Sequence, residues 1–297
     1  MKLSTSTNLI CERPGGRILP LTETLRWIAS VNIPYVDMSF FEYAYPGGVF
    51  LSDRWDEWIE EAAETAQRLG LCFYQSHAYT YNFLDPRFQQ HSEERDYQEM
   101  LVERSLTCCR ILGAKIVVTH PAMDPSQEHP VSYVWEQNRA YLASYAERAA
   151  KNGMTVAVEN MFSYAGNPAR KFFSEPEEIA AFIDALGDDR VGICWDFEHG
   201  AILGQNQTSA VRSFGRKLFA THVSDAVSGS YEPYMHVLPF TSETDWESIR
   251  TALLEIGYDG AFSFEAHNFL KRIPDGLIPS ALAYVGALGA YLTGSRR

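Results

Sequence analysis

Eight short apolar runs, each parted from the next by a longer helical pattern, recur along the chain, and this alternation restricts the fold more than any other feature. The runs are Lys2–Leu9, Pro34–Phe40, Cys72–His77, Lys115–His120, Thr155–Glu159, Val191–Asp196, Phe219–Val223 and Ala261–Glu265. Several are near-continuous in β-branched and aromatic residues, as parallel strands buried on both faces require. Between them, Asp53–Leu69, Glu93–Leu112, Tyr133–Asn152 and Trp246–Ile256 carry helical periodicity and stop at Gly70, Gly113, Gly153 and Gly257. Glycine suits that position because it adopts the left-handed conformation that ends a helix. Glu175–Leu186 follows the same plan with Pro176 in its first turn, Ser209–Arg216 is a shorter case, and Leu277–Leu292 closes the chain.

Strands that alternate with helices form parallel sheets with right-handed crossovers. Eight such units in 297 residues, with no Pro/Gly/Ser-rich linker, predict an α/β fold: a single (β/α)8 TIM barrel spanning residues 1–297 as one domain. No strand is followed by a Gly-rich dinucleotide fingerprint, and no GxxxxGK[ST] phosphate loop occurs.

Charge and cysteine usage narrow the partners. Asp and Glu number 38 against 25 Lys and Arg, a net charge of −13 that repels phosphate backbones, so no nucleic-acid partner is expected. The five cysteines lack framework spacing and read as reduced thiols of a cytoplasmic protein. No apolar stretch of signal-peptide type follows Lys2. The uncharged run Ile278–Leu292 falls short of the ~20 apolar residues of a bilayer span, so no membrane partner is expected either.

In a barrel, residues at the C-terminal ends of the strands converge on one pocket. Ionisable residues stand at almost every such end here: His77, His120, Glu159, Asp196, His222 and Glu265, with Glu42 shortly after the second strand. Buried carboxylates are costly unless paired or bound to a cation. Glu159, Asp196, His222 and Glu265 form the strongest subset. Three carboxylates and one imidazole suit a divalent metal ion, Mn2+ foremost, with Co2+, Mg2+ or, through the histidine, Zn2+ as alternatives. No CxxC motif suggests a closed structural zinc site.

The segments Val158-Glu159-Asn160, Asp196-Phe197-Glu198-His199, His222-Val223-Ser224-Asp225 and Phe264-Glu265 resemble the metal-binding strands of the xylose isomerase-like TIM barrel superfamily, the sugar phosphate isomerase/epimerases. The resemblance covers essentially the whole chain. It implies that Glu159, Asp196, His222 and Glu265 hold the metal and that His199 reaches the substrate, with His77, His120, Asn160 and His236 as further substrate contacts. It also implies a sugar, cyclitol or keto-sugar isomerase or epimerase. A metal-polarised carbonyl acidifies the adjacent C–H, and Glu159 and Glu265 take and return the proton through an enediolate. Expulsion of a β-substituent after the same deprotonation would make a lyase, as in C-glycoside deglycosidase catalytic subunits, which work on keto-glycosides with a small partner subunit. A homo-oligomer is the other expected assembly.

Two departures shape that reading. In the abasic-site endonucleases of the superfamily, histidines like His77 and His120 help hold extra zinc ions together with a later Asp-x-His. Here that stretch reads Tyr234-Met235-His236, and the turn after it is Phe240-Thr241-Ser242-Glu243, so the zinc-nuclease reading ranks last; His77 and His120 are read first as donors to substrate hydroxyls, with a second metal shared with Glu159 or plain packing as the alternatives. Position 228 is Ser where some relatives carry a hydroxyl-orienting Arg. Arg170, Lys171, Lys271 and Arg272 lie in loops on the catalytic face, either as contacts for a phosphate or carboxylate or simply as solvated charge. Phe40, Phe41, Tyr43, Tyr45, Tyr79, Tyr81, Phe83, Phe162, Tyr164 and Trp195 supply ring faces that stack on sugar C–H surfaces, roof the barrel or make a subunit contact.

Overall fold

A computed structural model of the chain describes residues 1–125, 128–162, 172–226 and 235–294. Eight parallel strands close into a barrel: β1 (Lys2–Ser6), β2 (Tyr35–Ser39), β3 (Cys72–His77), β4 (Ile116–Thr119), β5 (Thr155–Glu159), β6 (Val191–Asp196), β7 (Leu218–Val223) and β8 (Ala261–Phe264). Each strand pairs with its neighbours in sequence. β1 closes the ring by pairing with both β2 and β8, Ser4 opposite Tyr35 and Lys2 opposite Ala261. The surrounding helices are α1 (Leu21–Ala29), α2 (Trp55–Leu69), α3 (Glu93–Leu112), α4 (Val131–Lys151), α5 (Pro176–Leu186), α6 (Gln207–Phe214), α7 (Trp246–Glu255) and α8 (Ile278–Thr293). The expected (β/α)8 barrel is the architecture observed.

Two stretches near the N-terminus differ from the sequence reading. The first strand ends at Ser6 rather than Leu9, because the chain turns into a helical segment over Asn8–Cys11. Its start is held by the Thr7 N–H, which donates to Asp37 O at 2.8 Å, and the turn sinks Leu9, Ile10 and Cys11 into the core. The helix α1 has no counterpart among the segments named above. It follows a small two-stranded sheet, Glu12–Arg13 against Arg17–Ile18, that obscures the first βα unit.

Side chains on a strand alternate between its two faces, and this sets the position of the site. Ile116, Val118, Ala157, Cys194 and Ala220 form a core cluster of their own, separate from the larger one between strands and helices. Two residues further along their strands, Ala157, Cys194 and Ala220 are followed by Glu159, Asp196 and His222 on the same face. Small residues beneath leave room for larger polar ones above. Lower in the barrel, the β6–β7 register shifts between Ile193 and Cys194, and the Phe219 ring lies against Gly192. A Cβ at position 192 would meet that ring at 2.4 Å. Gly192→Ala is therefore expected to lose about 1–3 kcal/mol in denaturant unfolding, because the ring must leave its site.

The helix segment Asp275–Thr293 is long and apolar enough to cross a membrane. In this fold it supplies the eighth barrel helix: Leu282, Val285, Leu288, Gly289 and Leu292 are buried, and Gly289 lies so close to Leu3 and Phe264 that a Cβ there would collide with them.

Candidate metal centre

Glu159, Asp196, His222 and Glu265 come from the ends of β5, β6, β7 and β8 and meet at one point. One ligand atom from each lies within 4.8 Å of all the others, and all four side chains are withdrawn from solvent. His222 Nδ1 is the hub, 3.1 Å from Glu159 Oε1 and 2.9 Å from Glu265 Oε2. Glu265 is further held by Asn8, whose Nδ2 donates to Oε1 at 3.0 Å. Asp196 is positioned by its neighbours on both sides. Its Oδ1 accepts from the His199 N–H at 2.9 Å, capping the segment Phe197–Ile202, while Oδ2 is buried with no hydrogen-bond partner.

The electrostatics show a site short of positive charge. Burial favours the neutral acid everywhere here, yet the His222 imidazole, with His120 and His77 bonded to the same carboxylate, holds Glu159 well below the usual carboxylate range. Glu265 is held below it by His222 against the same burial. Asp196 goes the other way: burial first, then the Glu159 and Glu265 charges, push it up to about 7. Burial would lower His222, but the acidic groups around it hold it well above the ordinary histidine value. A buried carboxylate with an unpartnered oxygen beside two ionised carboxylates fits a divalent cation, whose hard oxygen and imidazole ligands these four residues would provide.

The remaining site residues fall into place unevenly. His77 Nε2 and His120 Nε2 lie 2.9 Å apart, and each is 3.2 Å from Glu159 Oε2, so both rings face Glu159. His77, Glu159 and His222 form a second group close enough to share a cation. His199 Nδ1 lies 2.6 Å from Asn160 O, and Nε2 is 3.8 Å from Asp196 Oδ2. The Asn160 amide clamps the backbone of Asp196, accepting from its N–H at 2.6 Å and donating to its carbonyl at 3.0 Å. This makes Asn160 a brace across β5 and β6 rather than a group offered to the pocket. Asn160→Ala would strand two buried main-chain groups, and a loss of about 2–4 kcal/mol is expected in thermal or denaturant unfolding. His236 is buried further out, its ring stacked on His267 at 4.1 Å and its Nε2 3.6 Å from Glu198 Oε1. The turn after it is anchored by Asp225, which accepts from the Thr244 hydroxyl at 2.7 Å and Trp246 Nε1 at 3.2 Å.

Among the aromatic candidates, Phe41 is exposed over the site, its ring 5.1 Å from that of His77 and 6.1 Å from that of His120. Phe40, Phe162 and Trp195 are fully buried, and Phe162 packs against His199 at 4.7 Å. Lys271 pairs with Glu12 at 2.9 Å, whereas Arg272 is exposed. Arg170, Lys171, Tyr164, Ser228 and Tyr234 lie outside the described residues. Burial also pushes the Glu42 carboxyl up, and its Oε2 has no partner.

The family model described as xylose isomerase-like TIM barrel matches residues 25–285. The chain belongs to this family. An inosose isomerase from Bacillus velezensis is 26% identical to this chain over 183 residues, covering 60% of this chain and 63% of the isomerase. The chain thus aligns with somewhat under two thirds of that relative's length. Solved structures share the fold over nearly the full chain. A D-psicose 3-epimerase determined in the presence of D-fructose superposes with a TM-score of 0.74 at 14% identity, covering 99% of this chain and 100% of the epimerase. The IOLI protein, crystallised with a bound zinc atom, gives 0.73 at 18% identity, covering 99% and 98%. The first two of these bear isomerase and epimerase names, and the lyase alternative gains nothing from them.

Two carboxylates of this family member were given no role by sequence reasoning. Glu198 is buried beside Asp196 and His236, though it stands inside the Asp196–His199 motif. Asp37, in the middle of β2, is buried directly below His222, with Oδ2 3.3 Å from Nε2. The signal for both was a carboxylate within or just after an apolar strand. Which groups they face depends on strands remote in sequence.

Proposed function

We propose that this protein is a divalent-cation-dependent isomerase or epimerase of a small sugar, cyclitol or keto-sugar, acting by proton transfer at the carbon next to a carbonyl. The observation that carries the reading is the convergence of Glu159, Asp196, His222 and Glu265 within 4.8 Å, with one Asp196 oxygen unpartnered. These four residues would hold the cation, Mn2+ being the expected ion. Bound there, it would supply Lewis-acid polarisation of the substrate carbonyl.

The protein's own groups account for the rest. Glu159 and Glu265 are both kept ionised by His222, so each can accept a proton at neutral pH, and they project from β5 and β8 on different sides of the pocket. One removes the α-proton to leave an enediolate and the other returns a proton, to the adjacent carbon in an isomerase or to the opposite face in an epimerase. His77 and His120, turned toward Glu159 Oε2, steady that carboxylate and offer N–H groups to substrate hydroxyls. His199, braced by the Asn160 carbonyl and the Phe162 ring, presents its other edge beside Asp196. Phe41 provides an apolar surface for sugar C–H groups at the entrance. We place the protein in the cytoplasm as one barrel domain, in keeping with five cysteines that form no disulfide.

The test is a solvent-exchange screen with metal analysis. The purified protein supplied with Mn2+ or Co2+ should retain close to one cation per chain. It should also incorporate deuterium from D2O next to the carbonyl of at least one ketose, inosose or keto-glycoside. Absence of bound cation, or of exchange with every member of a broad panel, would remove this reading.

A further inference from the structure

The Asp37 carboxylate is buried in the barrel interior with three hydrogen bonds, and the reading above leaves it idle. Its Oδ2 accepts from Gln75 Nε2 at 2.6 Å and from the Ser263 hydroxyl at 3.2 Å, and its Oδ1 accepts from the His77 N–H at 3.0 Å. The same Oδ2 lies 3.3 Å from His222 Nε2, a fully buried nitrogen that makes no hydrogen bond. Gln75 also reaches Thr221 O at 3.3 Å, one residue before His222. Strands β2, β3, β7 and β8 thus converge on one buried carboxylate beneath the imidazole.

The two nitrogens of His222 face different surroundings. Nδ1 points up at Glu159 and Glu265, and Nε2 points down at Asp37. An imidazole can give only one lone pair to a cation, and the group facing its other nitrogen decides which. Both Asp37 oxygens already accept hydrogen bonds from Gln75, Ser263 and the His77 N–H, so the nitrogen facing them is the one that carries the proton. A carboxylate serving only to fill the barrel would be satisfied by Gln75, Ser263 and the His77 N–H, and would not need to face the one unpartnered nitrogen of the central histidine.

We propose that Asp37 is a positioning residue that holds His222 in the Nε2–H form, so that the Nδ1 lone pair is presented to the cation, and that its fixed charge strengthens His222 as a donor. The inference rests on Glu159, Asp196, His222 and Glu265 being a cation site. Through the His77 N–H the same carboxylate ties that histidine's strand to the site, and so links the floor of the barrel to His77 and His222, two of the histidines around Glu159.

The experiment compares cation binding by the parent, Asp37→Asn and Ser263→Ala, using calorimetric titration of metal-free protein with Mn2+ and Co2+. Asn keeps the volume and removes the charge, while Ser263→Ala deletes a neutral bond to the same carboxylate. Asp37→Asn should bind roughly 10- to 100-fold more weakly, the range typical of groups that orient a metal-bound histidine. Ser263→Ala should stay close to the parent. Equal affinity for the parent and Asp37→Asn, with only a lower melting temperature in the variant, would overturn the proposal, because that is what a purely structural carboxylate gives. If Asp37→Asn does not fold, the Co2+-loaded parent decides. Its NMR spectrum should contain a hyperfine-shifted, solvent-exchangeable proton assignable to His222 Nε2–H, and coordination through Nε2 would overturn the proposal. A parent that binds neither cation overturns the metal-centre reading itself, an outcome distinct from equal binding by parent and variant.

Discussion

Glu159→Gln and Glu265→Gln are each expected to slow deuterium incorporation next to the substrate carbonyl by roughly 10²- to 10⁴-fold, the usual contribution of a positioned acid or base. Glutamine keeps the shape of the side chain and can still accept a hydrogen bond from His222 or Asn8, but it cannot take up a proton. The two variants should not be equivalent. Glu159 is surrounded by His222, His120 and His77, whereas Glu265 is held by His222 and Asn8. If each carboxylate serves its own face of the substrate, exchange starting from one epimer should fail in one variant and exchange from the other epimer in the second. A common loss from a single variant, with the other near the parent, would point to one base working on one face. Both side chains also belong to the proposed cation site, so cation content must be measured in parallel. A variant that keeps its cation and loses exchange has lost the proton acceptor. Exchange unchanged in both variants would remove the two carboxylates from proton transfer.

Saturation with Mn2+ is expected to raise the melting temperature by roughly 8–16 °C when the free cation is about a thousandfold above its dissociation constant. That excess corresponds to about 4 kcal/mol of linkage to the folded state, at some 2–4 °C per kcal/mol for a chain of this size class. The effect should depend on pH with a definite sign. Burial, then the neighbouring Glu159 and Glu265 charges, push Asp196 up to about 7, and the acidic surroundings hold His222 above its ordinary value. A cation must displace protons from both. Binding should therefore tighten as pH rises toward and past 7, and the shift in melting temperature should be larger at pH 8 than at pH 6. Without cation, Asp196 acts in the opposite direction. The native state keeps a proton that the unfolded chain, with an ordinary value of 3.8, has already released, so this residue's contribution to stability falls as pH rises from about 4 to about 7. Glu159 and Glu265, both depressed in the native state, contribute stability above the ordinary carboxylate range that is lost as pH falls through their lowered values. Melting curves at the two pH values, with Mn2+ and with chelator, separate these contributions. A larger cation effect at pH 6 would contradict the assignment.

The sequence made the ligand cluster legible because the barrel converts position along a strand into position in space. Glu159 and Asp196 each end an apolar strand, His222 stands one residue before the end of another and Glu265 immediately follows one, so parallel closure was enough to bring them together. Side-chain direction was harder to read. Asn160 follows Glu159 by one position, and nothing local shows that its amide turns to the Asp196 backbone. Asp37 was invisible for a related reason: Val36-Asp37-Met38 reads as an ordinary strand with one polar residue, and its meaning lies in Gln75, Ser263 and His222 on three other strands. The first βα unit was blurred by the Asn8–Cys11 turn and the small sheet after it, which are held by contacts to the far end of the chain, such as Arg13 to Asp275 at 2.9 Å.

The closure of β1 against β8 joins the two ends of the described chain. Lys2 must find Ala261, and Asn8 must reach Glu265, across nearly the whole length of the polypeptide. Contacts between residues so remote form slowly, because the intervening chain has to be gathered before they can reward it. A folding intermediate with β5, β6 and β7 in place would already hold Glu159, Asp196 and His222, yet it would lack Glu265 and the Asn8 amide that steadies it. All four residues therefore meet only in the closed ring, so a cation held by the proposed set would favour the closed barrel over any open form.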